Sequence, residues 1–451
     1  MHMIRLPALF FVLTLLQACD LFDDSDSMPG ASSPASCADE DYNQYVYDSM
    51  KRYYFWYDTV DPGNSINPRD MISYPTPTDL LDALKYSPTD RFSHIGDAAT
   101  FNQFFGDGVF LGTGLRLITD DLSNDVMVAY AFDDSPAYIA GIRRGDQIVS
   151  INGITANGLN GQNWSDAWGA DEIGTEVELL IRHTDSTEAP FTVTKDLVSI
   201  YTTQKSNVMT NGTNKIGYLH FTHFLGSRSV TELNTEFQNF KNNQVTELIV
   251  DLRYNGGGSV NTARHLGSLI GGSATAGNIF TRLIYNDNPN GYNGFSSTLN
   301  FQSAAESLNL SRVFFITTAA SCSASELVIN ALLPSTNIQV VVIGSTSCGK
   351  PAGSVPDTAC GKTLSALNFE IRNANDEGGY YNGIGPGFAG LNAFCEATDN
   401  IGFALGDSAE NSIASAIDYI NTGACNADFN KHISYRNAPD RHHYTAMEAL
   451  Y

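Results

Sequence analysis

Arg312-Val-Phe-Phe-Ile-Thr-Thr-Ala-Ala-Ser-Cys-Ser-Ala-Ser-Glu-Leu327 is the stretch on which the fold turns. Its first half is an unbroken apolar and β-branched run, the pattern of a strand buried on both faces. Its second half crosses small residues and enters a helical pattern over Ser325 to Leu333. Strand handing directly to helix is the unit of an α/β layer. The hand-over occurs once more, and a third apolar strand follows. Thr246-Glu-Leu-Ile-Val-Asp-Leu-Arg253 is an apolar strand that runs into Asn255-Gly-Gly-Gly258, with helical spacing from Val260 to Ile270. Ile338-Gln-Val-Val-Val-Ile-Gly344 is another, leading into Ser347-Cys-Gly-Lys350. Three strands with polar or glycine residues just past their carboxyl ends predict a mostly parallel sheet whose functional groups collect at that edge.

Upstream, the grammar changes. Between about Gly106 and Ile200, short β-type runs alternate with turn signals, as in Gly114-Leu-Arg-Leu-Ile118 and Val177-Glu-Leu-Leu-Ile-Arg182, and predict a small β-rich module. Within it Ser135-Pro-Ala-Tyr-Ile-Ala-Gly-Ile-Arg-Arg-Gly-Asp-Gln-Ile-Val-Ser-Ile-Asn-Gly153 closely resembles a PDZ domain. From Cys37 to about Phe105 the pattern is helical and aromatic-rich, then rich in proline, which reads as a small helical cap with its aromatic stripe used for packing. There is no internal repeat. The expected organisation is a signal at 1–18, a tether at 19–36, the cap at 37–105, the PDZ-like module at 106–200, the α/β domain at 201–425 and a tail at 426–451.

The amino end carries a charged start and the apolar run Leu6 to Leu16, the form of a bacterial export signal and too short to span a bilayer. It closes on Leu16-Gln-Ala-Cys19, which resembles a lipobox, so Cys19 is expected to carry a diacylglycerol anchor. The competing reading is an ordinary secretory signal in which Cys19 is incidental. Residues 20–36 are rich in Asp, Ser and Pro and predict a solvated tether. Asp20 resembles an inner-membrane retention signal, and the leaflet stays open. Apart from Cys19 the chain has six cysteines, an even number that favours disulfides in an exported protein without choosing their pairing. No Cys-x-x-Cys pair occurs, which disfavours a zinc site. The net charge of −24 over 451 residues disfavours nucleic acid and anionic lipid as partners and fits a soluble surface.

Taken alone, Ser323 and Glu326 have the S-x-x-E spacing of an ordinary helix-start capping box, and Gly256 to Gly258 that of a plain strand-to-helix turn. Taken together, the S-A-S-E segment, Gly349-Lys350 after an apolar strand, the upstream D-L-R-x-N-G-G-G and the PDZ-like stretch resemble, in order and spacing, the carboxy-terminal processing (tail-specific) serine peptidases over residues 37–423. The resemblance implies a ClpP/crotonase-like α/β core, with Ser323 as nucleophile, Lys350 as its base and no metal or organic cofactor. The physics of the pair is coherent. A lysine with its ordinary pKa is protonated at neutral pH, so burial must depress it before it can take the serine proton. Ser323 also stands at a helix start, where developing negative charge is favoured. The N–H of Ala324, with one from Gly256 or Gly257, is the expected oxyanion site. Gly112-Thr-Gly-Leu115 is the candidate loop for a substrate's terminal carboxylate, the alternative being a PDZ module that only gates the catalytic domain.

Two departures stand out. Where many bacterial members have a glutamine four residues after the lysine, this chain has Ser354, which leaves the third catalytic member open with Ser354 as a candidate orienter. Two extra residues lie between serine and lysine, assigned to a loop near Pro334 to Asn337. A related tricorn-like group uses a histidine base, for which His220 and His223 are the candidates; on a strand they face opposite ways. Cys348 is expected in a disulfide rather than as a nucleophile. The same core also occurs in binding proteins such as the retinoid carrier of the photoreceptor matrix, so a non-catalytic scaffold is the remaining alternative.

Overall fold

The computed structural model describes residues 33–159, 161–429 and 435–437. The signal, Cys19 and most of the tether lie outside the described residues.

The PDZ-like module is an antiparallel sheet. Its strands are β1 (Leu115–Asp120), β2 (Val126–Ala131), β3 (Gln147–Ile151), β4 (Glu176–Arg182) and β5 (Glu188–Thr194), paired in that order. Inward residues alternate with exposed ones along β4 and pack on Trp164 and Trp168.

The central sheet has six strands: β6 (Thr203–Asn211), β7 (Asn214–Phe221), β8 (Glu247–Asp251), β9 (Arg312–Thr317), β10 (Gln339–Gly344) and β11 (Ala393–Glu396). Only the β6–β7 pair is antiparallel; every later pair is parallel. The unbroken apolar runs are explained by burial of both faces. Leu248, Val250, Val313, Phe315, Val340 and Val342 face one side, and Ile249, Phe314, Ile316, Val341 and Ile343 the other. The first side is covered by α3 (Gly226–Asn242), α4 (Val260–Gly271) and α5 (Ala324–Leu332), the second by α6 (Asn411–Thr422). Asp251 is level with Ile316, and Thr317 with Gly344, so the three following loops leave the sheet at one edge.

The cap is built on α1 (Asp39–Tyr53) and α2 (Pro77–Leu84), the latter opened by a Thr76–Asp79 capping box. The aromatic stripe is packing: Tyr42, Tyr45, Val46 and Met50 are buried in one cluster with Cys322, Ala352 and Leu367 of the core. The helical expectation for the cap needs one correction. His94–Asp97 is a strand, antiparallel to Lys362–Ser365, because its partner lies far along the chain and local pattern cannot supply it. A last strand, β12 (Tyr435–Asn437), pairs with β1 and becomes the outer strand of the PDZ sheet. Among the described residues no helix is long and apolar enough to cross a membrane.

Candidate active site

The loop after β9 turns into α5 at Ser323, which has φ 54° and ψ −110°. A non-glycine residue in that region is strained and is held there only by its surroundings. Three contacts do the holding. The Cys322 N–H donates to the Asn255 carbonyl (3.0 Å), the Ser325 hydroxyl donates to the same carbonyl (3.1 Å), and the Ser323 N–H donates to the Glu326 carboxylate (3.0 Å). Ser323 and Glu326 form the capping box that opens α5.

Glu326 does more than cap a helix. It is fully buried and also receives the Ser347 hydroxyl (2.6 Å), the Gly349 N–H (2.7 Å) and the Lys350 N–H (2.8 Å). One carboxylate oxygen thus takes the backbone N–H of both Ser323 and Lys350 and holds the two backbones as neighbours. Burial pushes the Glu326 carboxyl up, and these donors oppose the push. A disulfide between Cys322 and Cys348, Cα atoms 5.1 Å apart, ties the same two loops covalently. Those two sulfurs lie close to the Glu326 carboxylate, but each is bonded to the other rather than offered to a metal. The other pairs are Cys37–Cys360 and Cys395–Cys425, so every cysteine after Cys19 is paired, as in chains matured in an oxidising compartment.

Lys350 is 2% exposed, and desolvation pushes its ammonium down to about 7 against the opposing pull of Asp90 and Glu326. Its Nζ lies 5.2 Å from the ring centroid of Phe92. The loop before it depends on Gly349, whose φ is 86° and where a Cβ would come 2.3 Å from the Tyr381 carbonyl oxygen. The cap closes over this loop. Arg91 donates to the Cys348 carbonyl, and Asp90 is fixed by the Tyr54 hydroxyl (2.6 Å) and the N–H groups of Phe92 (2.9 Å) and Ser93 (2.8 Å).

Ser323, Ala324, Lys350 and Ser354 line one cleft of about 590 Å³, whose other walls include Phe105, Phe224, Leu225, Leu327, Phe369 and Ile371. Gly257 packs directly on the serine turn: a Cβ there would stand 2.8 Å from the Ser323 Cβ and 3.0 Å from the Ala324 nitrogen. Its N–H donates to Asn255 Oδ1 (2.9 Å). Gly256 is buried in the same turn. Neither His220 nor His223 lines the cleft. His220 sits in β7 against Tyr130 and Tyr254, where burial pushes it down to about 4. His223 packs on Phe104 with its ring nitrogen 3.0 Å from the Thr222 hydroxyl.

Gly112 to Leu115 lies in the module rather than in this cleft, with the Thr113 carbonyl accepting the Ala137 N–H (2.9 Å) and the Gly114 carbonyl the Phe132 N–H (2.9 Å). A buried ionic junction links module and core. Arg144, the second arginine of the PDZ-like stretch, donates to Asp399 (2.6 Å) and to the Tyr254 hydroxyl (2.9 Å). Arg253 meets the same Asp399 oxygen (2.7 Å), Asp251 (2.6 Å) and Glu410 (3.0 Å). Sequence reasoning passed over Glu326 as a cradle, Asp90 to Phe92, Asn255 and this junction. The only local signals were the E of S-A-S-E and the doubled arginine of the PDZ-like stretch.

The relationships to known proteins follow the same layout. Residues 41–94 match the peptidase S41 N-terminal domain, residues 127–182 a PDZ domain and residues 215–386 peptidase family S41. The carboxy-terminal processing protease CtpA of Bacillus subtilis is 25% identical over 163 residues, 36% of this chain and 33% of that protein. The chloroplastic carboxyl-terminal-processing peptidase 2 of Arabidopsis thaliana is 31% identical over 156 residues, 34% of this chain and 30% of that protein. The chain therefore spans about a third of the length of these curated relatives. A crystal structure assigned as an S41 protease of Bacteroides fragilis shares the fold with a TM-score of 0.65 at 21% identity, covering 84% of this chain and 97% of that one. With two S41 matches together spanning half of the sequence, and a PDZ match between them, the chain belongs to peptidase family S41.

Proposed function

We propose that this chain is a serine endopeptidase that works through a Ser323–Lys350 dyad. The observation that carries the reading is a lysine pushed down to about 7 by burial, on the wall of the cleft that also holds a strained serine. Neutral Lys350 Nζ takes the proton from Ser323 Oγ as Oγ attacks the peptide carbonyl carbon. The tetrahedral oxyanion is received by the Ala324 N–H and the Gly256–Gly257 turn packed on it. In the resting form the Gly257 N–H is bound to Asn255, so Ala324 and Gly256 are the donors free of that bond. Collapse breaks the C–N bond, and the leaving amine takes the proton from Lys350. Water then attacks the Ser323 ester carbonyl carbon, giving up a proton to Lys350; collapse breaks the C–Oγ bond, Ser323 Oγ takes that proton back, and the acid leaves. Ser354, on the same wall, is the candidate to orient the amine.

The substrate is polypeptide, and the apolar walls favour unfolded segments with apolar side chains over charged ones. The PDZ module presents such chains by strand addition, with their terminal carboxylate at Gly112, Thr113, Gly114 and Leu115. The enzyme acts in the cell envelope, exported and tethered through Cys19; intact-mass analysis of the mature amino end tests the anchor, and an unmodified end downstream of Cys19 removes it. Casein hydrolysis by the parent, Ser323→Ala and Lys350→Ala tests the dyad. Both variants are expected to lose activity by a factor of roughly 10³ or more. Undiminished activity in either removes that residue from the mechanism.

A further inference from the structure

The outer strand of the PDZ sheet comes from the far end of the chain. β12 pairs antiparallel with β1, Tyr435 opposite Asp120 and Asn437 opposite Ile118. The other neighbour of β1 is β2, so without β12 its outer main-chain groups would form a sheet edge open to another strand. β1 begins at Leu115, the last residue of the candidate carboxylate loop. β12 runs toward that loop, the direction in which the carboxyl end of an added peptide strand would approach it. The tail thus occupies a ligand's place in a ligand's orientation.

Two further observations explain why this segment and no other is there. The chain is pinned just before the tail: the Cys395–Cys425 disulfide ties it down, and the Phe429 carbonyl accepts the Thr398 N–H (3.1 Å). Thr398 adjoins Asp399, the core residue that receives Arg144 of the module. The tail therefore leaves the core where core and module meet, and only residues 430–434 separate Phe429 from β12. So short a tether gives an effective concentration on the order of millimolar, enough to keep a weak strand partner in place. The register also limits the grip. Three residues of β1, Leu117 to Leu115, remain beyond Ile118, whereas at least fourteen residues follow Asn437. The pairing is that of an internal stretch, without a terminal carboxylate in the loop.

We propose that β12 is a cis occupant of the peptide-accepting edge of the PDZ module, and that an incoming polypeptide with a free carboxyl end must displace it. The inference rests on the proposed strand-addition reading of the module and does not use the hydrolytic one. The test uses the full chain carrying Ser323→Ala, so that the probe stays intact, with and without Arg436→Pro plus Asn437→Pro. Consecutive strand residues point their N–H groups to opposite sides, so the two prolines remove whichever of the pair faces β1 and leave the module untouched. A short fluorescein-labelled peptide ending in a free Ala-Leu carboxylate is titrated by fluorescence anisotropy. If the tail holds the edge about nine-tenths of the time, the proline variant binds the probe about tenfold tighter than the parent. A synthetic peptide of residues 430–451 displaces the probe from that variant. Hydrogen exchange provides the second readout: the Leu115–Asp120 segment exchanges faster in the proline variant while Val126–Ala131 keeps its protection, which also shows that the module is still folded. Equal affinity for the probe in the two chains, or equal exchange over Leu115–Asp120, overturns the proposal.

Discussion

At the scale of the residue, Lys350, the proposed base, is expected to set the pH response. Its conjugate acid is pushed from 10.5 to about 7 by burial, so the competent neutral amine is the minor form below pH 7 and the major form above it. kcat/KM measured on a quenched-fluorescence peptide is expected to rise with pH along an acid limb centred at about 7. The stability linkage has the same sign: with the folded value below the unfolded one, this group's contribution is present above 10.5 and is lost as pH falls toward 7. Asp90 pulls the amine up, so Asp90→Asn is expected to move the acid limb to lower pH by roughly half a unit to one unit. A limb that stays in place would show that Asp90 does not act on this lysine. Glu326 also pulls the amine up, but it holds backbone as well, which adds a second signature. Glu326→Gln replaces one acceptor oxygen by a donor facing N–H groups, and is expected to lower kcat by about 10- to 100-fold and stability by roughly 2 kcal/mol.

At the scale of the element, the strands β8, β9 and β10, the first two of which hand over to helices, are legible in the sequence because strands buried on both faces must be continuous apolar runs. Ser323 and Lys350 are legible as loop residues past two of them. What is not legible is the set of groups around the lysine. Arg91 reaches the Gly349 carbonyl across 258 positions of sequence, and nothing in Asp90-Arg-Phe92 announces that contact. The pairing of Cys322 with Cys348 is likewise hidden in spacing alone, although it spans the two loops of the proposed dyad. Since it closes a loop over 26 positions, Cys322→Ser with Cys348→Ser is expected to cost about 3 kcal/mol in denaturant titration. If Glu326 alone suffices to align the loops, kcat in the unreduced parent and the double variant will match below the unfolding temperature. A fall of roughly tenfold assigns part of the alignment to the disulfide.

At the scale of the whole molecule, the sequence predicts a module and a core but not how they are joined, since a doubled arginine in a turn reads as surface charge until its partner is known. The structure buries Arg144 instead. It spends its donors on Asp399, the Tyr254 hydroxyl, the Ala129 carbonyl (3.0 Å) and the Phe403 carbonyl (2.9 Å). Tyr254 immediately precedes Asn255, whose side chain and carbonyl brace the glycine turn and the serine turn, so a module residue anchors the start of the proposed oxyanion loop. Burial alone would push the Asp399 carboxyl up, but Arg144 and Arg253 bring it down to about 2. The stabilisation from that ionised carboxylate is present above 3.8 and is lost only as pH falls through about 2, so mild acid should leave the junction intact. Arg144→Met keeps the bulk and removes the charge. Breaking a buried pair typically costs about 3–5 kcal/mol, and because Arg253 still compensates Asp399 the lower end is expected. Calorimetry should then resolve the module's unfolding from that of the core. With one anchor of Tyr254 gone, kcat on a short amidated peptide should fall while KM holds, and Arg144→Lys, which can still meet Asp399 but not the full set of acceptors, should fall between. A single unfolding transition together with parental kcat in Arg144→Met would mean that the module touches the catalytic edge without bracing it.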